Sequence, residues 1–378
     1  MIDARGSTRR TVLAIAMVVG LAVVDAGCTS VGAASPTPRD QEDGSAPSAG
    51  SQTTPAASPL SETELSGVVY DLVYDEARDV IWWAILRYSG PDELVEFDPV
   101  ARTVVRSWAL PEVEYNGFTT RLAIRQGQVW VSEPYRLVRL DPDTGKLDQI
   151  EFEALPNPTA DPSADSAPLT GTWVSSFAFW DDAIWVARNN LSYVTRVDPV
   201  TMQATEELPI PNKAAGSEDM IALDGSLYLS ASFSSVAGVW VIDASGGAVA
   251  LPVSARRFTA SGTAIAGYGG NSFLIESGSG VLADVVPEPG SPTDRFAAIP
   301  DSADLVAYSD TRNAIVRLSN GRVITSIGLA RASVTKVNPL GQPISTFVKS
   351  SVTDVVVDVR GTVWYVNEST RTLVGTRL

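Results

Sequence analysis

The chain has 378 residues, with 44 acidic against 28 basic side chains, a formal net charge of −16, one cysteine and no histidine. Without histidine there is no imidazole general base, no Ser-His or Cys-His nucleophile and no imidazole metal ligand. Cys28 alone cannot form an intrachain disulfide. Lysine is confined to Lys146, Lys213, Lys336 and Lys349, which leaves few candidates for lysine chemistry. An acidic body repels nucleic acid and anionic lipid surfaces, so no nucleic-acid partner is expected. No cofactor and no metal are expected either.

In chain order, Arg5, Arg9 and Arg10 precede an apolar stretch over 11–24. That stretch is shorter than the ~20 residues that cross a bilayer, so 1–27 reads as a signal peptide. It leads into Ala26-Gly27-Cys28. This resembles the lipobox of bacterial lipoproteins, with Asp25 where a branched aliphatic residue is usual. The resemblance implies that Cys28 is lipidated, palmitate included, and becomes the mature N-terminus on the outer, extracytoplasmic side of the cell membrane. The rival is cleavage after Gly32-Ala33-Ala34 and free secretion. Thr8-Arg9-Arg10-Thr11-Val12-Leu13 resembles a twin-arginine export signal, with Val in the usual Phe place, so the export route stays open. Residues 29–62 are rich in Ala, Ser, Thr, Pro and Gly and hold no aromatic residue. They read as a disordered tether, with an r.m.s. reach of roughly 30 Å. The lipidated cysteine and tether thus take 28–62, and a folded domain takes 63–378.

Within that domain a two-part phrase recurs about every 45 residues. Its first half is a turn and an alternating strand centred on an aromatic: Asp79-Val80-Ile81-Trp82-Trp83, Gly127-Gln128-Val129-Trp130-Val131, Asp182-Ala183-Ile184-Trp185-Val186, Gly225-Ser226-Leu227-Tyr228-Leu229 and Gly361-Thr362-Val363-Trp364-Tyr365. Its second half is a strand ending in a turn, as in Glu96-Phe97-Asp98-Pro99, Arg139-Leu140-Asp141-Pro142 and Arg196-Val197-Asp198-Pro199. Short strands at this period predict an all-β fold, a β-propeller of four-stranded blades. The predicted blades run over 71–110, 121–152, 173–208 and 220–251. The phrase then degrades, and 322–324 with 334–339 only echo it. Three strands follow at 352–359, 362–366 and 372–377. A strand from 62–69 would complete the last blade and close the ring by pairing both termini. Seven blades fit best; six and eight remain open.

The connections sort by face. Tight turns join the first and second strands, at Gln126-Gly127, Asp181-Asp182, Asp224-Gly225 and Arg360-Gly361, and the third and fourth, at Asp98, Asp141 and Asp198. The other connections are long and share the opposite face, where binding usually sits on a rigid scaffold. The candidate binding residues are therefore Arg87, Tyr88, Tyr115, Glu133, Arg188, Asn189 and Glu368. Trp82, Trp130, Trp185 and Trp364 hold matching places and read as inter-blade packing. Trp173, with Tyr115, could stack on a ligand. Asp141-Pro142-Asp143-Thr144-Gly145 lacks the further ligands of a calcium loop and reads as a turn. Asp161 and Asp165 read as solvated loop charges. Glu133, Glu218, Asp219 and Glu368 fall near the long-loop face, where paired carboxylates could serve a glycosidase or a cation.

Arg139-Leu140-Asp141-Pro142 and Arg196-Val197-Asp198-Pro199, each following a strand-Trp-strand unit, resemble the bacterial YVTN/NHL-type propellers and the streptogramin-lyase-like family over 68–378. The streptogramin lyases use a catalytic histidine with bound magnesium, and this chain has no histidine. The recurring WD40 pairing of Gly-His with Trp-Asp is absent, Trp-Asp occurring once at Trp180-Asp181, as is the tryptophan docking motif of quinone-dependent dehydrogenases. Two functions follow. One is a lipid-anchored binding or scaffold module for an envelope protein or glycan. The other is a carboxylate- and Arg-dependent lyase or glycan-active hydrolase, which a convergent Asp/Glu and Arg cluster in the central funnel would favour.

Overall fold

The structure, a computed structural model, describes most of residues 59–377, omitting 88–89, 112–120, 154–172, 190, 211–216, 232–237 and short breaks between 252 and 351. The described residues form seven four-stranded antiparallel sheets and one two-stranded hairpin. Blade 1 is built from Val68–Asp75, Val80–Leu86, Glu93–Asp98 and Thr103–Ala109. Blades 2, 3 and 4 repeat the order from Arg121–Arg125, Val174–Trp180 and Ser217–Leu223. Blade 5 starts at Arg257–Ser261 and blade 6 at Thr293–Ala298. Blade 7 holds Val352–Val357, Thr362–Asn367 and Thr372–Arg377.

Its fourth strand is Ser61–Glu64, with Ser61 opposite Gly375 and Glu64 opposite Thr372. The termini therefore close the ring as the sequence suggests, but the strand overlaps the expected 62–69 only over 62–64. Val68 and Val69 instead open the innermost strand of blade 1, opposite Leu86 and Ile85. The echo between 322–324 and 334–339 is also not one blade. Arg322–Gly328 is the outer strand of blade 6, and Ala332–Val337 pairs with Pro343–Val348 in the separate hairpin.

Buried apolar residues fall into seven clusters, one at each seam between consecutive blades. Successive strand residues face opposite sides, so each second strand feeds both its seams. Trp82 packs toward blade 2, while Trp83 packs toward blade 7. Trp130 and Trp185 fill the seams between blades 2 and 3 and between 3 and 4. Trp364 closes the seam between blades 7 and 1, in a T-shaped contact with Phe97 at 5.3 Å between ring centres. The recurrent aromatics are thus packing residues.

The tight turns follow the chemistry of their residues. Gln126 and Gly127, Asp181 and Asp182, and Asp224 and Gly225 all have positive φ, as a type I′ hairpin turn requires. Between third and fourth strands, Asp98 Oδ1 accepts the N–H groups of Val100 and Ala101 at 2.7 and 2.8 Å. Asp198 does the same for Val200 and Thr201, and Asp141 for Asp143 and Thr144. The Asp141 carboxylate is turned onto its own loop backbone, which is a turn and not a calcium shell.

Candidate functional site

The long-loop residues divide into buried ties and exposed groups. Glu133 is 2 % exposed and paired with Arg136, which also donates to the Pro111 carbonyl. Burial pushes the Glu133 carboxyl up against the opposing pull of that arginine. Arg188 is buried; it donates to the Glu153 carbonyl at 2.9 Å and the Tyr193 hydroxyl at 3.0 Å, and lies over the Phe152 ring. Asn189 is buried, and its side-chain oxygen accepts the Trp173 N–H. The bonds of Arg136, Arg188 and Asn189 fall at the described ends of the long connections, on Pro111, Glu153 and Trp173. Arg87 is partly exposed and paired with Glu93 at 2.6 Å, and Glu368 is exposed on the loop of blade 7. Tyr88, Tyr115, Asp161 and Asp165 lie outside the described residues.

The charged cluster with the most convergent geometry lies instead on the ring axis. Each innermost strand places one residue, just before an apolar one, at the same level. In blade order these are Asp71, Arg121, Ser176, Asp219, Arg257, Arg295 and Asp354. In blades 1, 3, 4, 6 and 7 the ladder shifts register at this point. Such a bulge re-aims a side chain. Ser132 and Ser230, on the second strands, accept the N–H groups of Arg121 and Asp219 at 3.0 and 2.8 Å.

The three carboxylates tie blade to blade. Asp71 Oδ2 accepts from Leu122 N of blade 2 at 2.7 Å, and Asp219 Oδ2 from Phe258 N of blade 5 at 2.7 Å. Asp354 Oδ2 accepts from Leu72 N of blade 1 at 2.5 Å. The arginines reach across the axis. Arg121 of blade 2 pairs with Asp219 of blade 4, and Arg257 of blade 5 stands 4.0 Å from Asp71 of blade 1.

Two of the carboxyls resist ionisation. Burial, then the Asp71 charge and a hydrogen bond to it, push Asp354 up to about 7, although Arg257 and Arg295 pull the other way. Burial raises Asp219 against Arg121 and Arg257. Two like charges sharing a low-dielectric site cannot both ionise freely, so the pair holds on to a proton.

The ring borders a cavity of about 600 Å³ that runs along the inner strands, past Phe179, Ile124 and Ala222, to Glu76 and Pro300 beside the tight turns. Sequence reasoning reached Asp219 and missed the other five charged ring members. Their signal was present: Asp71-Leu72, Arg121-Leu122, Arg257-Phe258, Arg295-Phe296 and Asp354-Val355 repeat a charged–apolar pair, in blades 1, 2 and 7 one strand before the Trp phrase. Among the described residues no group of three or more Cys, His, Asp or Glu could hold a metal ion.

No family profile and no curated protein matches the sequence. Solved structures do match in fold. A chain of a mitotic checkpoint complex aligns with TM-score 0.60 at 10% identity, over 90% of this chain and 99% of that one. The WD40 domain of Neurospora crassa Pan2 aligns with TM-score 0.58 at 9% identity, over 85% and 97%. Hydrazine synthase of Kuenenia stuttgartiensis aligns with TM-score 0.58 at 12% identity, over 86% and 98%. At these identities the likeness is one of fold. The chain is a β-propeller of four-stranded blades, an architecture that suits a binding or scaffold module.

Proposed function

We propose that this chain is a lipid-anchored propeller on the outer side of the cell membrane, whose ring is a binding platform for an envelope protein or glycan. One observation carries the preference for binding over catalysis. Each axial carboxylate gives an oxygen to the backbone N–H of a neighbouring blade, so these charges hold the platform together. Two of the structural neighbours support a protein partner, being a WD40 domain and a chain of a multiprotein complex. The anchor rests on Cys28 and the stretch before it. The platform would then hang on a tether that ends before the closing strand at Ser61 and not at 62, with Arg87 and Glu368 among the groups its partner meets.

Changing Cys28 to Ser tests the anchor: the variant should leave the membrane fraction. Unchanged membrane retention and processing would remove the lipoprotein reading. The platform is tested by pull-down of the tethered domain from envelope extract, where a discrete partner is expected.

A second reading keeps the carboxylate/Arg-dependent lyase or glycan hydrolase, because the axial Asp71–Asp354 pair holds a proton near neutral pH. A raised carboxyl beside arginines is a usable general acid. Turnover of a glycan or lactone, lost in a folded Asp354→Asn variant, would establish that reading.

A further inference from the structure

On the tight-turn face, a second cleft of about 270 Å³ lies at the seam of blades 6 and 7. Its wall holds three arginines and no carboxylate: Arg317 from the third strand of blade 6, Arg360 from the first turn of blade 7, and Arg377 from its third strand. Only positive groups line the cleft itself, with Asp304, Asp79 and Asp358 standing against two of them, and a cleft lined by one sign of charge concentrates ions of the other.

Two of the guanidiniums are fixed from behind. Arg317 donates Nε and Nη2 to the same Asp304 oxygen, at 2.9 and 2.7 Å. Arg360 donates to Asp79 at 2.5 Å and to Asp358 at 3.0 Å. Among the described residues Arg377 is exposed and has no ion-pair partner. Two guanidiniums are thus held in place with some of their donors already committed, and the third is uncommitted among the described residues. A planar guanidinium matches the oxygens of phosphate or carboxylate two at a time. Val306, Val357 and Val363 are buried beneath the cleft.

We propose that Arg317, Arg360 and Arg377 form a binding site for a phosphate-sized oxyanion. The cleft adjoins the open end of the axial cavity, since Val357 lines both and Ile299 of one precedes Pro300 of the other. A larger molecule anchored here by its anionic group would therefore have the channel walls within reach.

The probe is inorganic phosphate, titrated into the purified domain with ionic strength held constant by sodium chloride, and the readout is the thermal midpoint. A ligand that binds only the folded state raises the midpoint progressively with its concentration. The wild type should show that rise. Arg377→Gln removes a side chain with no structural partner, so it should fold normally and lose most of the rise. Arg377→Lys keeps the charge without the fork and should bind on the order of tenfold more weakly. Phosphate also stabilises proteins generally by exclusion from their surface, and that part would persist in every variant. An equal rise in wild type and Arg377→Gln, or none up to about 10 mM phosphate in the wild type, overturns the proposal.

Discussion

Replacing Trp364 by alanine opens the seam at which the ring closes. Trp364 is 1% exposed and packs with Leu72, Trp83 and Phe97 of blade 1. Its Nε1 donates to Asp358 at 3.1 Å, and that carboxylate also takes the N–H groups of Arg360 and Thr362. Asp358 therefore stays satisfied when the indole is removed, so no orphaned charge is added. What is lost is the burial of a large aromatic and the space it leaves, about 3–5 kcal/mol, including about 1 kcal/mol from the edge contact with Phe97. Trp364→Phe keeps most of the volume and loses the N–H bond, so it should cost about 1–2 kcal/mol. Urea unfolding followed by tryptophan fluorescence and circular dichroism gives both numbers, provided the slope with denaturant stays constant. A loss under 1 kcal/mol for Trp364→Ala would refute the claim that this seam carries the closed ring.

Gly375→Ala should destabilise by about 1–3 kcal/mol, because a methyl there would lie 2.8 Å from the Trp364 ring; the same urea titration reads it. Deleting 372–378 removes the partner of Ser61–Glu64, and the truncated chain should aggregate or lose cooperative unfolding in calorimetry. The axial acid pair predicts a pH dependence. Asp354 keeps its proton up to about 7 in the folded state but releases it near ~3.9 when unfolded. Its contribution is therefore complete below about pH 4 and lost as pH rises through about 7, at up to about 1.4 kcal/mol per pH unit. Asp354→Asn should remove that slope between about pH 4 and 7, and parallel curves for the two proteins would contradict the assignment.

The fold was legible where the repeat is regular. The aromatic phrase marks the second strands of blades 1 to 4 and 7, and Asp-Pro turns end the third strands of blades 1 to 3, because those seams are filled by a large side chain at the same place. Blades 5 and 6 were not legible. Their second strands carry Ile265 and Ala266, and Val306, Ala307 and Tyr308, with no Trp at the recurring place, and Phe258 and Phe296 of the first strands supply aromatics to those seams instead. The closing strand was placed in the right region but displaced, since Leu65, buried between the two strands, looks no different in sequence from the strand residues around it.

The site was less legible than the fold. Charged loop residues such as Glu133 and Arg188 suggest recognition, yet both are consumed locally. The axial ring lies on seven strands separated by long stretches of sequence, and only ring closure brings Arg257 to Asp71. Burial there decides the protonation of Asp354, and no spacing in the sequence reports burial.

The platform is tested most directly by photo-crosslinking in the native cell. The crosslinker is placed at Glu368, on the long-loop face, and in a parallel strain at Val200, 80% exposed in a tight turn of blade 3. A discrete protein or glycan adduct from Glu368 in the membrane fraction, absent from Val200, is the predicted result. An adduct from Val200 and none from Glu368 would contradict it.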